Sequence, residues 1–150
     1  DTDTHPFRRT VFDGMTGQLS EVSQRRVTDG TSKTMMLGEK FLNPDNYENG
    51  NCGGDNGSLY QGNDRDINRW VPEFNPADPD VVEQRHIDKF MPLADTTDSD
   101  LADSHRFGSA HTAGFFAGYA DGSVHLVTYD IDVQPYQALG VRNDGLAVRE

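Results

Sequence analysis

The stretch Phe107 to Asp132, FGSAHTAGFFAGYADGSVHLVTYDID, constrains the fold more than any other part of the chain. Two runs rich in β-branched and aromatic residues, 115–120 and 123–129, flank Asp121-Gly122. An Asp-Gly pair between such runs marks a β-hairpin, and a two-residue loop of this composition suits a type I′ turn, whose central residues both need positive φ. Counting outward from that loop pairs Tyr119 with Val124, Ala117 with Leu126 and Phe115 with Thr128 on one face. The other face pairs Ala120 with Ser123, Gly118 with His125 and Phe116 with Val127. Both faces then carry bulky apolar groups, so the hairpin is expected inside a sheet covered at least partly on each side.

The chain has 150 residues, the length of a single domain (1–150) with one core. Only 34% of it is hydrophobic and 15 residues are Gly, which points to a modest core and many loops. A net charge of −12 argues against nucleic-acid binding, which needs a basic patch; the pairs Arg8-Arg9 and Arg25-Arg26 are too small to supply one. Such an acidic surface suits divalent cations or simple solubility. The single cysteine, Cys52, excludes an internal disulfide and any Cys-rich zinc site. No apolar run approaches the length of a membrane span, and no signal peptide opens the chain. A start at Asp1 without Met suggests a processed or truncated product.

Before the hairpin, residues 9–12 and 18–27 read as strands, and Thr28 to Ser32 as a cluster of turn formers in which Asp29 can bond its own backbone. Met35–Phe41 reads as a buried strand with Met35, Leu37 and Phe41 at alternate points. From Asn43 to Arg69 the chain is crowded with Asn, Asp and Gly, a loop long enough to need a function or something to hold it. Prolines rule out helix interior between Trp70 and Asp80. Asp80 then resembles a helix cap, with Val82, His86, Ile87 and Phe90 on one helical face. Asp132 is placed to cap a last helix through Tyr136 and Leu139, ended by Gly140. The fold class is therefore α+β and β-rich: an antiparallel sheet with long loops and short helices.

Several blocks resemble a bacterial family. They are Val27 to Lys40 (VTDGTSKTMMLGEK), Leu42 to Asp45, Gly54-Asp55-Asn56 with Tyr60 and Gly62, and Arg106 to His111; nine residues later come Asp121-Gly122, then Ser123-Val124 and Tyr129 to Asp132. Together they are similar to the prepilin-type processing-associated H-x9-DG proteins, whose motif residues here are His111, Asp121 and Gly122. The resemblance implies the globular head of a pilin-like protein, the leader and long apolar helix of such proteins lying outside these residues. It also implies a structural, non-enzymatic subunit of the cell envelope or exterior, as in type IV pili or type II secretion, assembling with itself or with other pilin-like chains. Membrane contact is then expected only through that helix, and a sheet lacking it should expose an apolar strip or cover it with a partner. Two departures stand out: Thr112-Ala113-Gly114 replaces the usual Pro-Gly-Gly, and Lys33 replaces the Asn of a Thr-Ser-Asn turn.

The same residues admit other chemistry. His111 with Asp121 could be a metal pair or a base with its orienting carboxylate, or else a loop clip and a turn residue. His105 added to them would make a metal-dependent hydrolase centre. Asp64, Asp66 and Asn68 alternate as in the first half of an EF-hand loop, without its downstream Gly and Glu. With Asp55 and Asn56 they could bind Ca2+, making a calcium-stabilised module for a ligand such as carbohydrate, with Tyr60 or Trp70 as stacking platforms; a loop held by Asx-turns is the plainer reading. Ser109 lacks a nucleophile elbow, and no phosphate-binding loop is present.

Overall fold

The computed structural model describes residues 14–17, 20–58, 60, 64–72, 84–98, 105–143 and 145. Its strands are β1 (Met35–Gly38), β2 (Leu93–Ala94), β3 (Gly108–Ser109), β4 (Gly114–Tyr119) and β5 (Val124–Thr128); its α-helices are α1 (Gln84–Phe90) and α2 (Val133–Gly140). Strands β1, β4 and β5 form an antiparallel sheet in the order β1-β4-β5, and β2 pairs with β3 in parallel. This is the β-rich α+β arrangement expected from the sequence.

The hairpin forms, but one residue out of the expected register. Phe115 faces Val127, Phe116 faces Leu126, Ala117 faces His125 and Gly118 faces Val124. The cause is the turn. The Tyr119 carbonyl accepts from the Gly122 N–H (2.9 Å) and the Tyr119 N–H donates to the Ser123 carbonyl (2.9 Å), closing a three-residue loop with Gly122 at φ +88°. Asp-Gly fits this loop as well as a type I′ turn. The Asp121 carboxylate favours the longer one by accepting from both the Ser123 N–H (2.9 Å) and its hydroxyl (2.7 Å). A one-residue slip exchanges the faces of a whole strand, so Val127 enters the core while Val124 and Leu126 turn outward.

Strand β1 holds a second irregularity. Met35 opposes Tyr119 and Leu37 opposes Gly118, with a bulge between them. The extra residue moves Leu37 off the inner face, so the expected buried alternation of Met35 and Leu37 fails and Leu37 is exposed. The inner face carries Met35, Phe115, Ala117, Tyr119 and Val127, and α2 closes it with Tyr136 and Leu139. Phe107 stacks on Phe115 with ring centroids 5.5 Å apart. Gly38 lies beneath those rings, where an added Cβ would come within 2.7 Å of Phe107.

Three local expectations change. Residues 24–26 form a 3-10 turn rather than a strand. Asp29 serves a tertiary contact, its carboxylate accepting from the Gly145 N–H (3.0 Å). Asp132 occupies the N-cap position of α2 without a side-chain cap bond. Helix α1 covers the C-terminal part of the predicted helix, with Phe90 buried; the Asp80 cap, Val82 and the 9–12 strand lie outside the described residues.

Candidate functional site

The sheet has one covered face and one open face. The open face presents Leu37 (62% exposed), Val124 (64%), Phe116 (47%), Leu126 (46%) and the bulged Met36 (40%). Leu37 and Val124 flank Gly118 on either side, and Leu126 lies opposite Phe116, so the side chains form a contiguous strip across three strands. A full cover on both sides of the hairpin, as the two-sided apolar pattern implied, is therefore not what the described residues provide. Contiguous apolar surface on an otherwise acidic domain makes this face the candidate site.

The motif residues bracket this strip. His111 precedes β4 and Asp121-Gly122 follows it, so the nine-residue spacing is the length of one strand with its flanks. The two residues thus flank β4 at its opposite ends, and their side chains make contacts with different partners. Asp121 and Gly122 shape the turn. Ser123 bonding, its hydroxyl first and its N–H second, draws the Asp121 carboxyl below the usual carboxylate range. At the other end the His111 Nε2 lies 3.7 Å from the Glu39 Oε1, and its ring meets Phe116 edge-on at 5.9 Å. The other Glu39 oxygen accepts from the Phe116 N–H (2.7 Å), while the Glu39 N–H donates to the Phe116 carbonyl (3.1 Å). Glu39 thereby continues the β1–β4 pairing with its side chain and fixes Phe116 on the open face.

Behind this corner Ser109 and Tyr129 form a polar clip. The buried Ser109 hydroxyl bonds the Gly114 carbonyl (3.0 Å) and the Tyr129 hydroxyl (3.1 Å), and accepts from the His111 N–H (3.2 Å). Burial raises the Tyr129 phenol above its ordinary range. That hydroxyl is committed to backbone. His105 lies elsewhere, its ring 5.4 Å from Trp70 and 6.3 Å from Phe90. The structure therefore does not bring His105, His111 and Asp121 into one centre.

The Asn/Asp/Gly loop closes around a cation of the chain's own, the half-buried Lys40 ammonium. It donates to the Gly54 carbonyl (3.3 Å), the Asp66 carbonyl (3.2 Å) and the Asp55 carboxylate. Arg69 adds a second donor to the Gly54 carbonyl (3.0 Å). The buried Asp66 carboxylate accepts from the Asn56 N–H (3.0 Å), and the Asp64 carboxylate accepts from the Arg65 N–H. Thus Asp55, Asn56 and Asp66 do meet in space, around Lys40; Asp64 serves a local turn, and Asn68 lends its carbonyl to Arg69 (2.8 Å). No group of three or more His, Cys, Asp or Glu side chains suited to a metal occurs among the described residues. Tyr60 is almost wholly exposed, and Trp70 is half-buried against His105.

Sequence reasoning assigned no role to Lys40, Glu39, Asp95 or Tyr129. Asp95 ties three segments together: its carboxylate accepts from the Leu42 N–H (2.9 Å) and the Tyr47 hydroxyl, pushing the Tyr47 phenol up to about 12. The one available signal was Lys40 itself, a basic residue between an apolar strand and an acidic loop in a chain with only 13 Lys and Arg. No helix among the described residues is long and apolar enough to cross a membrane.

Compared with known proteins, the chain matches no curated protein and no solved structure. Residues 1–134 match the model of a family described as protein of unknown function, DUF1559. The match spans most of the 150 residues, and the chain belongs to the DUF1559 family.

Proposed function

We propose that this domain is a structural building block, the head of a pilin- or pseudopilin-like subunit of the H-x9-DG type, acting at the cell envelope or outside the cell by being held rather than by turnover. The observation that carries the reading is the open apolar strip of Met36, Leu37, Phe116, Val124 and Leu126 in a chain of net charge −12. An apolar helix of a pilin-type chain is the cover that suits it.

The energetics favour a tethered cover. Each of the five side chains is about half exposed, and fully burying one is worth ~1.5–3 kcal/mol, so covering all five yields roughly 4–8 kcal/mol. Bringing in a free partner costs about 4–15 kcal/mol in lost translation and rotation, which offsets most or all of what this strip supplies by itself. A helix on the same chain escapes most of that cost, and neighbouring subunits can then add their contacts. The motif supports this use, since His111 and Asp121-Gly122 shape the two ends of the strand that displays Phe116.

The test is photo-crosslinking from position 37 in the protein's own cells. The expected product joins position 37 to a long apolar helix of this chain or a pilin-type sister, and Phe116→Ser with Leu126→Ser reduces both the crosslink and assembly. A native protein that sediments as a lone head, with position 37 open to aqueous reagents, refutes the reading.

A further inference from the structure

The sheet also has an open edge, distinct from its open face. In an antiparallel pair, opposed residues alternate between those that exchange hydrogen bonds with the partner and those whose backbone groups point away. The Tyr119 N–H bonds the Ser123 carbonyl and the Tyr129 N–H bonds the Ala113 carbonyl, so 117/125 and 115/127 are also bonded pairs in this register. The N–H and C=O groups of Val124 and Leu126 and the N–H of Thr128 therefore face away from β4. No described residue pairs with them; only the Thr128 carbonyl is used, by the Ile131 N–H (3.3 Å).

Exposed edges usually carry a charge, a proline or a bulge that blocks further pairing. Strand β5 has none: Ser123 to Tyr129 contains no Asp, Glu, Lys, Arg or Pro, and its pairing with β4 is regular. Charge gathers instead at its two ends, in the exposed Asp121, Asp130 and Asp132. An incoming strand thus meets an uncharged centre between two negative ends. A second copy of β5 fits poorly. Antiparallel pairing sets Asp121 against Asp130 of the other copy, and parallel pairing sets each acid against itself.

We propose that the outer edge of β5 accepts an extended segment of another polypeptide as an additional strand, one with uncharged β-forming residues at its centre and Lys or Arg at its ends. Main-chain bonds to Val124, Leu126 and Thr128 supply the pairing, and the terminal acids select the partner's charge and centre it. This inference goes beyond the covered-face reading and does not depend on it: the edge uses the backbone groups of β5, whereas the strip uses side chains, those of Val124 and Leu126 on β5 among them.

The test uses the full chain and a fluorescent peptide with Thr-Val-Thr-Val-Thr between two pairs of Lys, read by anisotropy. Two isomers carry N-methyl groups on alternate amides along one peptide edge or the other. The expected result is that the parent binds, one isomer binds about tenfold more weakly or worse, and the other matches the parent. The Glu-ended counterpart should not bind, Leu126→Pro protein that retains its circular dichroism should lose binding, and Phe116→Ser protein should keep it. If Leu126→Pro does not fold, the isomer pair still decides. The proposal is overturned if the parent fails to bind, if both isomers match it (charge attraction alone), if the Glu-ended peptide binds equally, or if the chain is a dimer that Leu126→Pro dissociates.

Discussion

Replacing Lys40 by Met removes the ammonium from the centre of the Asn/Asp/Gly loop while keeping most of the stem's volume. Its two carbonyl contacts, at 3.2 and 3.3 Å, are long, so each is worth no more than about 1 kcal/mol. The Asp55 pair is partly exposed on both sides and adds about 0.2–1 kcal/mol. Gly54 keeps Arg69 as a donor, which limits the loss, whereas the Asp66 carbonyl loses its Lys40 donor. The sum is at most about 3 kcal/mol, which for a domain of 150 residues lowers Tm by up to about 12 °C. Urea and thermal melts of both proteins, each with and without EDTA and with added Ca2+, measure this. The expected pattern is a destabilised Lys40→Met and a wild type indifferent to chelator, because the loop's inner positive charge is covalently its own. A wild-type Tm that falls with EDTA as far as Lys40→Met falls would refute the reasoning and favour a calcium-stabilised loop.

Gly108→Ala should be among the most damaging small changes, since its Cβ would meet the Leu93 carbonyl at 2.2 Å and the Phe41 Cβ at 2.8 Å, both on fixed elements. Urea melts should show a loss of about 1–3 kcal/mol or more, while Gly53→Ala, with nothing within 4 Å, stays near neutral as the matched control. Tyr136→Phe should stabilise by roughly 1–3 kcal/mol, because the fully buried hydroxyl meets no hydrogen-bond partner among the described residues; a clear loss of stability would show that a bound water satisfies it. Spectrophotometric titration should find Tyr47 ionising near pH 12, as its bond to Asp95 dictates. A raised phenol pKa means that this contact's contribution is intact below pH ~10 and fades as pH climbs from there through about 12, a lag that Tyr47→Phe removes.

Much of the fold was legible because it rests on local chemistry. The hairpin, α2 and β1 follow from Asp-Gly between β-forming runs, the Tyr136/Leu139 spacing and the apolar run after Lys33. Register was not legible, because Asp-Gly serves two loop lengths and the choice turns on the bonds that Ser123 donates to the Asp121 carboxylate. The parallel β2–β3 pair was hidden for a different reason. Its strands are two residues each, too short for any periodicity, and they exist because Gly108 allows the Leu93 backbone to approach. The motif residues and their places before and after one strand could be read, but not the contact of His111 with Glu39, a residue 72 positions away that tertiary pairing brings beside it.

The linear order of residues determined the class of the domain, its acidic character, the site of its central hairpin and the presence of a polar loop that something must hold. Those properties depend on neighbours within a few positions or on totals. Only the tertiary structure decided which side of the sheet is greasy and open, and that Lys40 is what the polar loop closes around. Both outcomes hinge on single-residue shifts, the bulge after Met35 and the three-residue turn at Asp121 and Gly122, and on contacts between residues 15 and 26 positions apart. An alternating pattern reads the same in either register, so the packed chain alone resolves it.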